Sequence, residues 1–95
     1  MSKEKKILEE CIKLMESKGN DYNSAVKLDD YFPHGLLSYH QMLHVKVKRM
    51  ESLITSGAEV KHESMRDTLI DLINYSVFTI KYLDEQNNVK RKPRG

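Results

Sequence analysis

Polar side chains recur at helical spacing within residues 62–82 of this 95-residue chain. On an α-helix, separations of three and four residues place side chains above one another on one face. Carboxylates aligned in this way repel one another unless a cation offsets their charge. The stripe therefore predicts a partner of positive charge, either a metal ion or a basic side chain. Its members are Glu63, Asp67, Asp71 and Asn74.

Two basic side chains on the preceding predicted helix are the best candidates to meet this acidic stripe. Lys46 and Arg49 are three residues apart and flank the apolar positions of their segment. They could pair with Asp67 and Asp71 across a helix hairpin and hold it in register. They could instead hold phosphate oxygens directly, because arginine offers a bidentate donor fork and lysine a point charge. Both interpretations are open at this point.

A long loop is predicted over residues 20–34, NDYNSAVKLDDYFPH, where turn formers and acidic residues interrupt the helical pattern. A short helical turn is expected around residues 24–27. Loops of this length in a small domain usually bind a ligand or cover a core. Asp21 could bind a cation, Tyr22 could stack on a base, and His34 is placed to approach a ligand. The alternative is that the aromatic rings close the end of a bundle and the acids are solvated.

Histidine and cysteine offer weaker signals. His40 and His44 have the spacing of two metal ligands on one helical face, but HQMLH lacks the glutamate of a zinc-protease motif. We expect His40 to lie in the interior or in an interface. Cys11, the single cysteine, recurs with apolar residues at helical spacing and is predicted to be a small core residue.

Apolar spacing predicts helices over residues 3–18, 35–55 and 62–85. The connection at residues 56–60 is short, so the second and third helices should form an antiparallel hairpin. Residues 86–95 are expected to form a flexible basic tail. The predicted fold is all-α, a small bundle of three main helices with a long loop after the first, in one domain over residues 1–85. On the third helix, the stripe expected to face the core consists of Met65, Leu69, Leu72 or Ile73, Ser76, Val77 and Ile80.

Composition excludes several classes of protein. Hydrophobic residues make up 39% and charged residues 32%, with two prolines, which is atypical of disorder. No apolar run reaches the roughly 18 to 20 residues of a spanning helix, and MSKEKK lacks the apolar segment of a signal peptide, so we expect a cytoplasmic location. A net charge of +2 does not indicate a nucleic-acid partner. So small a domain often gains stability by association, which predicts a homo-oligomer.

Four sequence motifs together indicate a resemblance to a known family. The motifs are DYNSA after the first helix, GLLS opening the second, Lys46-x-x-Arg49-x-x-x-Leu53, and Glu63-Ser64-x-x-Asp67-Thr68-Leu69-x-Asp71-Leu72-x-Asn74-Tyr75. Over roughly residues 20–82 the chain resembles the nucleotide-modification-associated family of phages and bacteria. That family is itself similar to all-α nucleoside triphosphate pyrophosphohydrolases of the MazG and dimeric dUTPase kind.

The resemblance implies a dimer or tetramer with a site for a nucleotide or a modified nucleotide. In the hydrolytic relatives, acidic residues from two successive helices hold magnesium against the phosphates. The match carries this role to Glu63, Asp67 and Asp71 as magnesium ligands, with Glu63 and Asp67 catalytic. The paired glutamates of the second helix are missing here. From the residues themselves, we expect the nucleotide to be bound by Lys46, Arg49, Asp21, Tyr22, His34 and Asn74.

Three hypotheses follow. The first is a nucleotide-binding protein of MazG-like type, whose activity in phage nucleotide metabolism would be magnesium-dependent release of pyrophosphate from a nucleoside triphosphate. The second is a non-catalytic nucleotide sponge or regulator of the anti-defence type, which the missing second-helix acids favour. The third is a structural helical oligomer in which the acidic stripe forms an interface network of ion pairs.

Overall fold

Three α-helices make up most of the chain in a computed structural model that describes residues 2–21, 28–56 and 62–90. They are α1 (Lys3–Asp21), α2 (Leu36–Thr55) and α3 (His62–Lys90), with a short 3₁₀ helix at Leu28–Tyr31. Those residues contain no strand, so the prediction of an all-α protein with three main helices is confirmed. None of the helices described is long and apolar enough to cross a membrane.

Two helices extend beyond their predicted ends. The first continues through Gly19 to Asp21, since a glycine inside a helix costs only about 1 kcal/mol. The third continues to Lys90, five residues past its predicted end, because no glycine or proline interrupts that segment. Residues 86–90 of the predicted tail are therefore helical. The helical turn expected at residues 24–27 and most of the connection at 56–60 lie outside the described residues.

The chain divides into two compact units, Met1–Pro33 and His34–Gly95. In the first unit, Ser2 caps α1, because the Lys5 backbone N–H donates a hydrogen bond to Ser2 Oγ at 3.1 Å. Cys11 is buried, with 2% of its surface exposed, which confirms its prediction as a core residue.

The second unit is an antiparallel hairpin of α2 and α3. The rings of Tyr39 and Tyr82 pack with centroids 5.6 Å apart, and Lys46 contacts Asp71. An early residue of α2 thus meets a late residue of α3, and a later residue of α2 meets an earlier one of α3. The hairpin predicted from the short connection is confirmed.

The core face predicted for α3 is wrong at most of its positions, although Met65, Leu72 and Ile73 are half-buried. Leu69, Val77 and Ile80 are 41%, 40% and 56% exposed. Apolar residues occur on several sides of this helix, so the spacing of one apolar stripe did not identify the buried side. Packing buries a neighbouring stripe in which a polar residue lies between two large apolar ones. The buried residues of α3 are Thr68, Ile70, Asn74 and Phe78.

On α2, the interior position expected for His40 is also wrong, and the alternative of an interface position stays a prediction. His40 is exposed, and Tyr39 beside it is buried with 1% of its surface exposed. Adjacent residues on a helix point about 100° apart, so only one of the two can face α3. The stacking of Tyr39 on Tyr82 decides in favour of the tyrosine.

Gly35 sets the start of α2. Its φ of 58° and ψ of −129° lie in a region that is open almost only to glycine. Its carbonyl accepts hydrogen bonds from the Ser38 and Tyr39 backbone N–H groups at 3.0 and 3.2 Å. A Cβ atom at this position would overlap the Tyr82 hydroxyl and lie 3.0 Å from Tyr82 Cζ. Both backbone conformation and close packing therefore require glycine here.

We expect Gly35→Ala to lower the free energy of unfolding by about 1 to 3 kcal/mol, the usual cost of such a backbone conformation, plus a steric cost from Tyr82. Urea denaturation measures the change. In a Tyr82→Phe background the penalty should shrink without vanishing, because the hydroxyl contact is removed and the backbone strain stays. Equal stability of Gly35→Ala and the parent protein would show that the glycine requirement is wrong.

Candidate functional site

An ion pair between Lys46 of α2 and Asp71 of α3 joins the two helices near the middle of the hairpin. Lys46 Nζ lies 2.9 Å from Asp71 Oδ2, and the two side chains are 26% and 27% exposed. Partial burial weakens solvent screening, so this contact is stronger than a fully exposed pair. A pairing of α2 cations with the acidic stripe was one of the two interpretations of the sequence, and Lys46 and Asp71 make it.

Arg49 lies one turn beyond Lys46 on α2 and is exposed. Across the described ranges it makes no ion pair, so the pairing considered for it with Asp67 or Asp71 is not formed. Three residues of helix rise by about 4.5 Å, which places the two cations near the same surface. One cation is thus held by a carboxylate and the other is available to an incoming anion.

Glu63 and Asp67 form the exposed part of the acidic stripe at the start of α3. Glu63 is in the first turn, where the helix dipole stabilises a negative charge. Neither carboxylate has a cationic partner in the part of the chain that the structure describes. Along α3, the polar stripe therefore begins with two exposed acids, continues with the paired Asp71, and ends with the buried Asn74.

A magnesium site built from protein side chains alone is not present among the described residues. They contain no group of three histidine, cysteine, aspartate or glutamate side chains placed to hold a metal ion. Asp71, one of the three expected ligands, is paired with Lys46. Magnesium commonly takes one or two carboxylates together with substrate phosphates. Glu63 and Asp67 fit that smaller role and would need a bound phosphate to complete the coordination.

Asn74, one turn beyond Asp71, differs from the other residues of the stripe because its side chain is buried. It is 2% exposed, and neither Oδ1 nor Nδ2 has a hydrogen-bond partner among the described residues. A buried polar group without a partner costs about 1 to 3 kcal/mol. The sequence suggested Asn74 as a binding residue but not as a buried one. Its position four residues from both Ile70 and Phe78 was the signal for burial.

Another predicted site residue, His34, is not brought to this place. It is exposed and precedes α2, whose first residue, Leu36, lies ten residues or about 15 Å of helix before Lys46. Its backbone N–H donates a hydrogen bond to Ser38 Oγ at 2.9 Å, which ties it to the first turn of α2. The Asp21 side chain and Tyr22 lie outside the described residues. The site that the structure assembles thus comes from α2 and α3.

The hairpin carries an apolar surface cavity of about 510 Å³ that was not predicted from the sequence. His40 lies at this cavity, and its ring stacks on that of His44 with centroids 6.4 Å apart. The exposed pair Leu36-Leu37 at the start of α2 was the signal that could have revealed it. The cavity could accept a hydrophobic group but offers few polar atoms. Its lining consists of Leu36, Leu37, His40, Leu43 and Thr79.

Comparison with known proteins gives one result. Residues 18–83 match a family model described as nucleotide modification associated domain 1. The matched range is well over half of the chain and includes all of α2 and α3 up to Leu83, so it contains every residue of the site just described. No curated protein and no solved structure matches the chain significantly.

We expect a double-mutant cycle of Lys46→Met and Asp71→Asn to give a coupling energy of about 1 kcal/mol at low salt, smaller at high salt. The neighbouring pair Lys48–Glu51 is the control, since its atoms lie 3.1 Å apart within one helix and both side chains are 58% exposed. Its coupling should be smaller because solvent screens it more. Urea denaturation of the single and double variants measures both. Equal coupling in the two pairs would contradict the importance of partial burial.

Proposed function

This chain belongs to the nucleotide modification associated domain 1 family, and we propose that it binds a nucleotide through its phosphate groups. Lys46 and Arg49 of α2 are the phosphate-binding residues in this proposal. The observation that carries it is the half-buried Lys46–Asp71 pair beside an exposed Arg49 that makes no ion pair with any described residue. A cation held ready by a carboxylate next to an exposed guanidinium is a suitable surface for a multiply charged anion.

Binding would exchange one ion pair for another. Phosphate oxygens replace the Asp71 carboxylate at Lys46, and the Arg49 guanidinium donates two parallel hydrogen bonds to the same or the next phosphate. A polyphosphate carries more charge than one carboxylate, so the exchange is favourable when both cations contact it. The Asp71 carboxylate is then released next to Asn74 and one turn from Asp67.

We expect nucleoside triphosphates to raise the thermal unfolding midpoint of the protein, and Lys46→Met or Arg49→Met to remove most of this shift. A ligand at one hundred times its Kd stabilises by about 2.7 kcal/mol, which is readily measured by differential scanning fluorimetry. Lys48→Met is the matched control. It removes the same charge from α2, but Lys48 points to the opposite side of the helix and pairs with Glu51.

The proposal fails if no nucleotide shifts the parent protein. It fails equally if Lys48→Met reduces the shift as much as Lys46→Met does, because binding would then depend on net charge alone.

Hydrolysis of the MazG-like type is a second candidate, supported by the alignment of the exposed Glu63 and Asp67 on one face of α3. Magnesium held by these carboxylates and by the phosphates would supply stabilisation of the charge that develops on the phosphates. Lys46 and Arg49 would hold the phosphates in place. Where the hydrolytic relatives have acids on the second helix, this chain has basic residues. That difference favours binding without turnover, as in a protein that sequesters a nucleotide.

We expect the purified protein with magnesium to bind a nucleoside triphosphate without releasing pyrophosphate. A coupled pyrophosphate assay over the nucleotide panel measures this. Steady release that Asp67→Asn abolishes and Asp84→Asn leaves unchanged would establish hydrolysis instead. Asp84 is the matched control because it is an exposed acid on the same helix, far from the acidic stripe.

A further inference from the structure

Asn74 occupies a position where an apolar residue would stabilise the protein better. Ile70 and Phe78, one turn before and one turn after it on α3, are both buried. The Asn74 amide lies between them with neither polar atom paired among the described residues. A leucine side chain has the same number of non-hydrogen atoms, branches at the same carbon, and carries no polar group that needs a partner. Packing of the hairpin therefore does not account for an asparagine here.

Thr68 is a second buried polar residue of α3 and serves as a comparison for the hydrogen bonding of Asn74. It is 5% exposed, and its hydroxyl donates a hydrogen bond to the Ser64 carbonyl at 2.8 Å. That group is satisfied within its own helix. The amide of Asn74 has no equivalent partner among the described residues. The two positions differ in bonding, although both are buried.

From this contrast, and resting on the proposed binding of a nucleotide, we propose that Asn74 recognises the heterocyclic base of the bound nucleotide. A carboxamide presents a donor and an acceptor side by side. Nucleobases present edges with a neighbouring acceptor and donor, and asparagine forms paired hydrogen bonds with such an edge. A phosphate or a carboxylate offers acceptors alone and would leave the amide oxygen unpaired.

The position of Asn74 agrees with this role. It is three residues beyond Asp71, or about 4.5 Å along α3, and Asp71 is the carboxylate that holds Lys46. A nucleotide whose phosphates replace Asp71 at Lys46 brings its base near Asn74 when it lies along α3. The phosphate contacts give affinity to any polyphosphate, and the amide contact distinguishes a nucleotide from a polyphosphate without a base.

Burial of Asn74 strengthens its hydrogen bonds to a base, but it also means that a base reaches the amide only after a conformational change. With 2% of its surface exposed, Asn74 is reached only after the side chains that cover it move aside, so binding includes a conformational step. The amide has already lost its water on folding. A base that pairs with it thus gains hydrogen bonds without a further loss of hydration at Asn74, which is a form of preorganisation.

The experiment compares the full-length parent protein with Asn74→Leu and with Thr68→Val as the matched control. Thermal unfolding is followed without ligand, with each common nucleoside triphosphate, and with inorganic tripolyphosphate as a probe that has no base. The base increment is the shift caused by a nucleotide minus the shift caused by tripolyphosphate. Asn74→Ala, in the same assay, serves if the leucine variant does not fold.

We expect Asn74→Leu to unfold at a higher temperature than the parent protein when no ligand is present. Its base increment should vanish, with the affinity for the best nucleotide weakened about tenfold or more, the loss expected for a paired base contact. Its affinity for tripolyphosphate should stay that of the parent protein. Thr68→Val should lower the ligand-free midpoint and keep the base increment.

Other outcomes separate this inference from the proposed function. If tripolyphosphate and nucleotides stabilise the parent protein equally, phosphate binding stands and base recognition is overturned. If Asn74→Leu keeps the base increment, the base is read elsewhere and the inference is overturned. If no probe stabilises the parent protein, both the proposed function and the inference are overturned.

Discussion

Tyr39 packs its ring against Tyr82, and the register of the hairpin depends on this contact. It is possible only because Gly35, four residues before Tyr39, lets the backbone pass close to the Tyr82 hydroxyl. With this end of the hairpin fixed, the antiparallel course of the helices brings Lys46 opposite Asp71 two turns further along α2. The candidate site is thus a consequence of packing at the far end of the hairpin, away from Lys46 and Asp71.

The same register places Asn74 within an apolar stripe. Natural sequences depart from good local packing mainly at functional sites, where stability is given up for binding or catalysis. An unpaired amide between Ile70 and Phe78 is a departure of this kind. Across the residues described, the polar side chains of the site therefore differ in role. Exposed acids begin α3, a paired acid follows, and a buried amide ends the series.

Much of this arrangement was predictable from the sequence. Helical spacing gave the three helices, the short connection gave the hairpin, and the charges at Lys46 and Asp71 gave their pairing as one of two interpretations. What spacing could not supply was the rotation of each helix about its axis. On α2 the choice between Tyr39 and His40, and on α3 the burial of Ile70 in place of Leu69, depend on contacts between helices. The burial of Asn74 follows from that rotation, so its spacing from Ile70 and Phe78 indicates burial only once those two residues are known to face the interior.

The Lys46–Asp71 pair also has a consequence for selectivity. Asp71 is tethered to the cation that it covers, so its effective concentration at Lys46 is far above that of a free carboxylate in solution. It acts as an internal competitor that every incoming anion must displace. Chloride, acetate or a single weakly charged phosphate has little advantage over a competitor already in place, whereas a polyphosphate that also reaches Arg49 does. In the proposed nucleotide site, the ion pair would thus set a minimum strength of interaction, which a small singly charged anion does not reach and a polyphosphate does.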